Sequence, residues 1–266
     1  MSTTAAALPE RRAPVAGAVS DALAVAWRNL ITYRRLPQLL VFSTIQPVIF
    51  VLMFRYVFGG AISVPGVPYV DFLMPGIFVQ TAVFGSMAAA VGLAADLKTG
   101  LLERFHSLPM ARSAVLAGRT TADLTRNVFV AVLISVVGFA VGFRVHTTAV
   151  AFVAGMVLVL LFGWALSWVF ATLGLAVRDP EAAQAAAFPV VAPLVFASSA
   201  FVPVESMPGW LQVFAEHQPV SVTASAVRAL VLGGPTADYV LQSLAWSLGI
   251  ILVFAPIAVR RYRRAV

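Results

Sequence analysis

Chemistry needs ionisable or nucleophilic side chains brought together, and in this chain they are scarce. Its 266 residues include 11 Asp/Glu, 3 His and no Cys. Without cysteine there can be no disulfide, thiol nucleophile or thiolate metal site. His106, His146 and His217 stand far apart, and none has a ligating partner three or four residues on, so no metal site is expected. The sequence contains no Gly-x-Ser-x-Gly elbow, no aspartate-rich prenyl-transfer motif and no Gly-x4-Gly-Lys-Ser/Thr phosphate loop. No catalytic residues are expected, and any uphill work would take its energy from another chain.

The densest cluster of polar groups is residues 96–113, DLKTGLLERFHSLPMARS. Gly100 weakens helix continuity by about 1 kcal/mol relative to Ala, and Pro109 ends a helix just before it. The expected element is a short helix from Thr99 or Gly100 to Leu108. At helical spacing Leu101, Phe105 and Leu108 fall within an arc of about 60°, whereas Glu103, His106 and Ser107 face away. One face can rest on protein or membrane, and the other is left for a partner.

The rest of the chain is apolar. It is 61% hydrophobic and 11% charged, against about 45–50% and about 25% in soluble domains, so the chain is read as a membrane protein. A crossing takes about 20 apolar residues, and six segments qualify: Leu39–Phe58, Phe72–Ala95, Val128–Phe143, Thr147–Val177, Ala182–Val204 and Tyr239–Val259. The third is short and continues a helical pattern that begins near Ser113. Its extension carries Arg119, Asp123 and Arg126 at spacings suited to local ion pairs. The fifth is interrupted by Pro189 and Pro193, which would loosen its hydrogen bonding as in a gating helix.

Val220–Gly233 is too short to cross and is broken by Arg228, so it is expected to be re-entrant or interfacial. With Met207–Glu216 it would form a helical hairpin on the outer side. All Lys/Arg except Arg55, Arg144 and Arg228 fall in the N-terminal tail, the 96–127 loop, the 178–181 turn or the C-terminal tail. The positive-inside rule then places both termini in the cytoplasm. The basic excess marks topology, and no nucleic-acid partner is expected.

The expected architecture is all-α and polytopic, with six transmembrane helices over 39–259, a cytoplasmic tail over 1–38 and a basic tail over 260–266. Glu10, Arg11, Arg12 and Asp21 interrupt the apolar core a signal peptide would need, so the N-terminus is expected to be retained. Val19, Leu23, Ala26, Trp27 and Leu30 recur at helical spacing, as in an amphipathic helix lying on the inner membrane surface. All acids fall outside the spans as drawn. Arg55, the one charge inside, is expected to snorkel to the outer interface.

The stretch LKTGLLERFHSLPMARSAVLAGR resembles the first cytoplasmic loop of ABC-2 type transporter permeases, and most closely that of the daunorubicin-resistance permease group of drug exporters. Residues 178–233, with Met-Pro-Gly-Trp-Leu, His-Gln-Pro-Val and Arg-Ala-Leu, are similar to the C-terminal signature of the same family. The resemblance implies a half-transporter in a bacterial plasma membrane. Two permeases, identical or paired with a sister chain, would form the path, and two copies of a separate ABC ATPase would dock beneath. ATP and Mg would be held by that ATPase, with no cofactor on this chain.

By the same resemblance, Leu101, Leu102, Glu103, Arg104, Phe105 and His106 would form the coupling helix in the ATPase groove, with Pro109 and Arg112 fixing its exit turn. The re-entrant hairpin would carry Glu205, Pro208, Trp210, Glu216, His217 and Pro219 at the outer surface. A path for amphiphiles needs apolar and aromatic walls, for which Phe78, Gln80, Phe84, Phe188 and Phe196 are candidates. The expected cargo is a hydrophobic or amphiphilic drug, antibiotic or lipid. The alternatives are a same-fold exporter of lipid-linked saccharide or cell-envelope lipid, a non-transporting scaffold, and, with the catalytic groups missing, an intramembrane enzyme.

Overall fold

A computed structural model of the protein describes residues 37–62, 64, 66–100 and 112–265. The amphipathic stretch 19–30 and the coupling segment 101–109 lie outside the described residues. Arg112 opens a helix, but its side chain is outside them as well.

Helix α1, Pro37–Leu52, continues as a π-helical turn, Met53–Phe58. Then come α2 (Tyr69–Ser86), α3 (Ala88–Lys98), α4 (Arg112–Ala140), α5 (Ala149–Val177), α6 (Pro180–Phe196), α7 (Gly209–His217), α8 (Pro219–Leu232) and α9 (Thr236–Ala265). No strand occurs among the described residues. The long helices run alternately between two ends of the bundle. One end collects Lys98, Arg178 and Arg260 and is called the basic end. The opposite end holds the turns at 59–68, 141–148 and 197–208 and the short helix α7.

Four stretches are long and apolar enough to cross a membrane: Tyr69–Lys98, Arg119–Ala140, Ala149–Val177 and Thr236–Tyr262. The described parts of α1 and α6 form shorter apolar helices, Thr44–Phe58 and Pro180–Phe196. The expected second span is therefore present but broken at Met87, and the fourth is one long helix, as its uncharged sequence required. Thr148 opens α5 by accepting a hydrogen bond from Ala151 N, and Arg178 closes it in the left-handed region at φ 62°.

The fifth segment is a correction. Its helix ends at Phe196, well before the expected Val204. Pro189 and Pro193 are both accommodated inside it, so the prolines do not stop it. The stop lies at Ser198 and Ser199, whose side chains bond to backbone in place of continuing the helix, Ser198 Oγ donating to Val195 O at 2.6 Å.

Thr99 and Gly100, expected to open the helix running to Leu108, finish α3, and the rest of that expected helix lies outside the described residues. Thr99 donates through its backbone and its hydroxyl to Ala95 O, each at 3.0 Å. Gly100 takes φ 66° and donates its N–H to Leu97 O. A glycine in that left-handed position is a common way to close a helix.

Candidate functional site

The basic end is tied across helices. Asp96 near the end of α3 accepts a charge-assisted hydrogen bond from Arg119 of α4, and both side chains are only 19% exposed. These two helices flank the 101–111 segment, so the pair fixes its two anchors to each other. Arg119 had been read as a partner in ion pairs local to its own helix; it reaches instead across to α3.

Lys98 donates to Asp179 at 2.6 Å, joining α3 to the turn between α5 and α6. Asp179 also caps α6, accepting from Ala182 N at 3.1 Å. The Lys98 hydrogen bond comes first, and the Ala182 N–H second, in holding the Asp179 carboxyl below its ordinary value. Its contribution to stability is thus complete above the ordinary carboxylate pKa and is lost as pH falls through the lowered one. Both side chains are exposed, so a small effect is expected. An acid thermal-stability titration of Asp179→Asn should be flatter than wild type, and parallel titrations would contradict the pairing.

At the opposite end Asp71, in the first turn of α2, is buried. Its carboxylate accepts from Arg144 N at 2.8 Å and pairs with His146 Nε2 at 2.7 Å. The 141–148 turn also reaches α8: His146 N donates to Val231 O at 2.9 Å, and Thr147 Oγ1 donates to Leu230 O at 2.5 Å. The second span expected from hydropathy begins at Phe72, with Asp71 just outside it. Asp71 lies within that helix and acts as a buried acceptor that binds a turn. Arg55 donates Nε to Val141 O at 3.3 Å, so its guanidinium is used at the end of α4.

Two consecutive helices, α7 and α8, joined at Gln218, occupy the segment expected to form the hairpin. Pro208 precedes α7. Glu205, Trp210, Glu216 and His217 are exposed at the opposite end, and Pro219 is the first residue of α8. The imidazole Nδ1 of His217 lies 3.0 Å from Val213 O. Helix α8 goes deeper than a surface dip, with Val220–Ala224 buried against α2, α5 and α9.

Two residues missed from sequence hold α8 in place. Gln218 Nε2 donates to Leu194 O at 2.9 Å, satisfying a carbonyl left open where α6 ends. Arg228, a break in an apolar run and part of the Arg-Ala-Leu signature, takes a structural role that neither reading gives it. It donates to Phe72 O at 3.2 Å and Ser199 O at 2.9 Å, with its guanidinium 3.8 Å above the Phe72 ring. The signals for them were a glutamine before Pro at a helix start, a lone arginine in a short apolar helix, and the place of both in the His-Gln-Pro-Val and Arg-Ala-Leu motifs.

Between α1, α2 and α4 lies a cavity of about 130 Å³ lined by Gln46, Gln80, Thr81, Phe84, Arg126 and Asn127 among others. Arg126 had been placed in a cytoplasmic extension. It lies inside the apolar stretch Arg119–Ala140 and donates to Gly85 O at 2.5 Å. Of the candidate path residues, Gln80 and Phe84 meet in this cavity. Phe78 packs against Phe143 and Phe152 and lines a separate small pocket, while Phe188 and Phe196 are exposed on α6.

Residues 21–232 match the model of the ABC-2 type transporter family. The chain is 36% identical over 248 residues, 93% of its length and 88% of the relative's, to a daunorubicin resistance ABC transporter permease protein from Streptomyces coeruleorubidus. It is 29% identical over 225 residues, 84% of its length and 81% of the relative's, to a probable doxorubicin resistance ABC transporter permease protein from Mycobacterium tuberculosis. Over 209 residues, 76% of its length and 71% of the relative's, it is 27% identical to a putative transport permease from Cyanophora paradoxa. With that match running from the N-terminal region through α8, the chain belongs to the ABC-2 type transporter family of membrane permeases.

Proposed function

We propose that this chain is the membrane permease subunit of an ATP-binding-cassette exporter that moves a hydrophobic or amphiphilic molecule outward. The observation that carries the reading is the near full-length similarity to permeases named for daunorubicin and doxorubicin resistance. The geometry of the basic end agrees with it. Two copies of a separate ATPase, holding ATP and Mg, dock on the helix expected over 101–108, and their closure moves α3 and α4 through the Asp96–Arg119 tie. Two permeases, copies of this chain or sister chains, form the path. The chain spans a bacterial plasma membrane six times with the basic end and both termini in the cytoplasm, and the α7–α8 hairpin closes the path on the outer side.

The test is co-purification from membranes in mild detergent together with the ATPase, followed by reconstitution. Recovery of a soluble subunit with a Gly-x4-Gly-Lys-Ser/Thr loop is expected. Glu103→Lys and Arg104→Glu should each cut substrate-stimulated ATP hydrolysis about tenfold or more, as loss of a buried charged contact at an interface does, with membrane insertion unchanged. Full stimulation in both variants would remove the role given to that helix. A chain that never recruits an ATPase would point to the scaffold reading.

A further inference from the structure

Gln80 is 2% exposed, yet its Oε1 accepts no hydrogen bond. The hydroxyl of Thr81, the next residue, is buried without a partner as well. Buried polar atoms without partners are rare in folded proteins and call for an explanation such as a bound group or water. Both residues line the cavity of about 130 Å³ between α1, α2 and α4, and α4 turns donors toward the same space. A guanidinium carries five N–H groups. Among the described residues Arg126 uses those of Nη2, toward Gly85 O at 2.5 Å and Asn127 Oδ1 at 3.2 Å. Its charge does not stand alone, because Asp123 is buried one turn earlier on α4.

That combination discriminates between head groups. Gln80 Oε1 needs a donor, which an ionised carboxylate does not have. An ammonium would donate to it, but it cannot accept from Arg126 and would bring a second positive charge close by, where low dielectric strengthens repulsion. A hydroxyl both donates and accepts, so a single oxygen can serve Gln80 and Arg126 without adding charge. Water has the same two abilities, but Pro47, Phe84, Ala88 and Val130 make the rest of the wall apolar and suit an amphiphile better. Gln80 lies 11 residues into α2, roughly 16 Å from its start at 1.5 Å per residue, near the middle of a hydrocarbon core of about 30 Å. At about 130 Å³, the cavity is well below the 300–1,000 Å³ typical of whole drug-sized ligands. It takes the hydroxyl-bearing end, and the rest of the molecule lies outside.

We infer that this cavity binds a hydroxyl group of an uncharged amphiphile, which donates to Gln80 Oε1 and accepts from Arg126, with the Thr81 hydroxyl as a further partner. The inference deepens the export reading by naming the chemistry of the cargo's polar end, and it rests on that reading only for the word cargo. As a binding site it stands without the ATPase.

The experiment uses the full-length protein in phosphatidylcholine vesicles and four photoreactive probes with the diazirine at one chain position: hexadecanol, its methyl ether, palmitate and hexadecylamine. Labelled peptides are mapped by mass spectrometry. The alcohol should label the 80–88 and 126–130 stretches. The ether, which accepts but cannot donate, should label them about fivefold less or weaker still, as expected for loss of one hydrogen bond to a buried partner, and both charged probes should also fall below the alcohol. Gln80→Met, close in shape but apolar, should lose the preference for alcohol over ether. It should also raise the thermal midpoint of the protein without probe, because it removes a buried acceptor that has no partner. Thr81→Val should lower alcohol labelling and supplies a second variant.

Adding dioleoylglycerol, a neutral lipid with a free hydroxyl, distinguishes two sources of the same chemistry. Competition assigns the site to a membrane lipid, and persistence assigns it to a separate cargo; both support a hydroxyl site. Equal labelling by alcohol and ether would mean that water serves Gln80 and would overturn the inference. So would stronger labelling by either charged probe, alcohol labelling unchanged in both variants, or a lower midpoint for Gln80→Met, which would show the amide already paired within the protein. A hydroxyl-selective site in a chain that recruits no ATPase would sink the export reading and leave this one standing.

Discussion

Gly76→Ala should leave little well-folded protein. Gly76 lies in α2, and a Cβ added there would come 1.9 Å from the backbone oxygen of Ala200 in the turn after α6. Real Cβ atoms do not approach so closely, and a backbone oxygen cannot swing aside as a side-chain tip can. Helix propensity alone favours alanine over glycine by about 1 kcal/mol. Overpacking against an immovable neighbour costs about 1–3 kcal/mol and occasionally more. Here the second effect dominates, because the turn is itself held by Arg228 bonding Ser199 O and by Ser199 N donating to Ser221 Oγ at 2.9 Å. Gly249→Ala in α9 is the control. Nothing lies within 4 Å of a Cβ there, so the propensity gain should appear unopposed. Size-exclusion profiles and thermal midpoints of the two variants should separate clearly. Equal stability would mean that α2 does not lie flush against that turn.

That contact shows what the sequence could and could not reveal. The long apolar helices and the break between α7 and α8 are legible in hydropathy because each depends on composition over a single segment, and the basic end is legible in where Lys and Arg fall between those segments. The polar pairings join residues distant in sequence. Arg126 meets Gly85 across 41 residues and Arg228 meets Phe72 across 156, and no helical period encodes such a match. By sequence Arg126 marks the edge of a span, because charges usually do. Inside the bundle it is tolerated since a backbone oxygen and a polar cavity receive it. Gln80 and Phe84 could be named from sequence as polar and aromatic groups in an apolar run, but only the fold shows that the Oε1 of Gln80 is buried without a hydrogen-bond partner. The site read from the family resemblance, residues 101–109, lies outside the described residues, and its role is a matter for the docking experiment above.

Breaking the Asp96–Arg119 pair should have the largest effect on coupling. Each side chain is 19% exposed, and the pair links the two helices that flank residues 101–111, the segment proposed above to dock the ATPase. Removing one partner of a largely buried pair strands the other charge, at about 3–5 kcal/mol when burial is complete and somewhat less here. Arg119→Ala and Asp96→Ala should each lower stability by about 2–4 kcal/mol and abolish substrate-stimulated ATP hydrolysis even where the protein still inserts. The exchanged pair, Asp96→Arg with Arg119→Asp, should recover much of both losses, a coupling that a double-mutant cycle measures directly. Gly92 provides an independent route to the same defect. It lies one turn before Asp96 on α3, and a Cβ there would occupy the space of Arg119 Nη2. Gly92→Val should therefore displace Arg119 and reproduce the uncoupled phenotype with no change of charge. If Gly92→Val couples normally while Arg119→Ala does not, Arg119 acts through some contact other than Asp96, and the rigid tie between α3 and α4 is not what transmits the ATPase stroke.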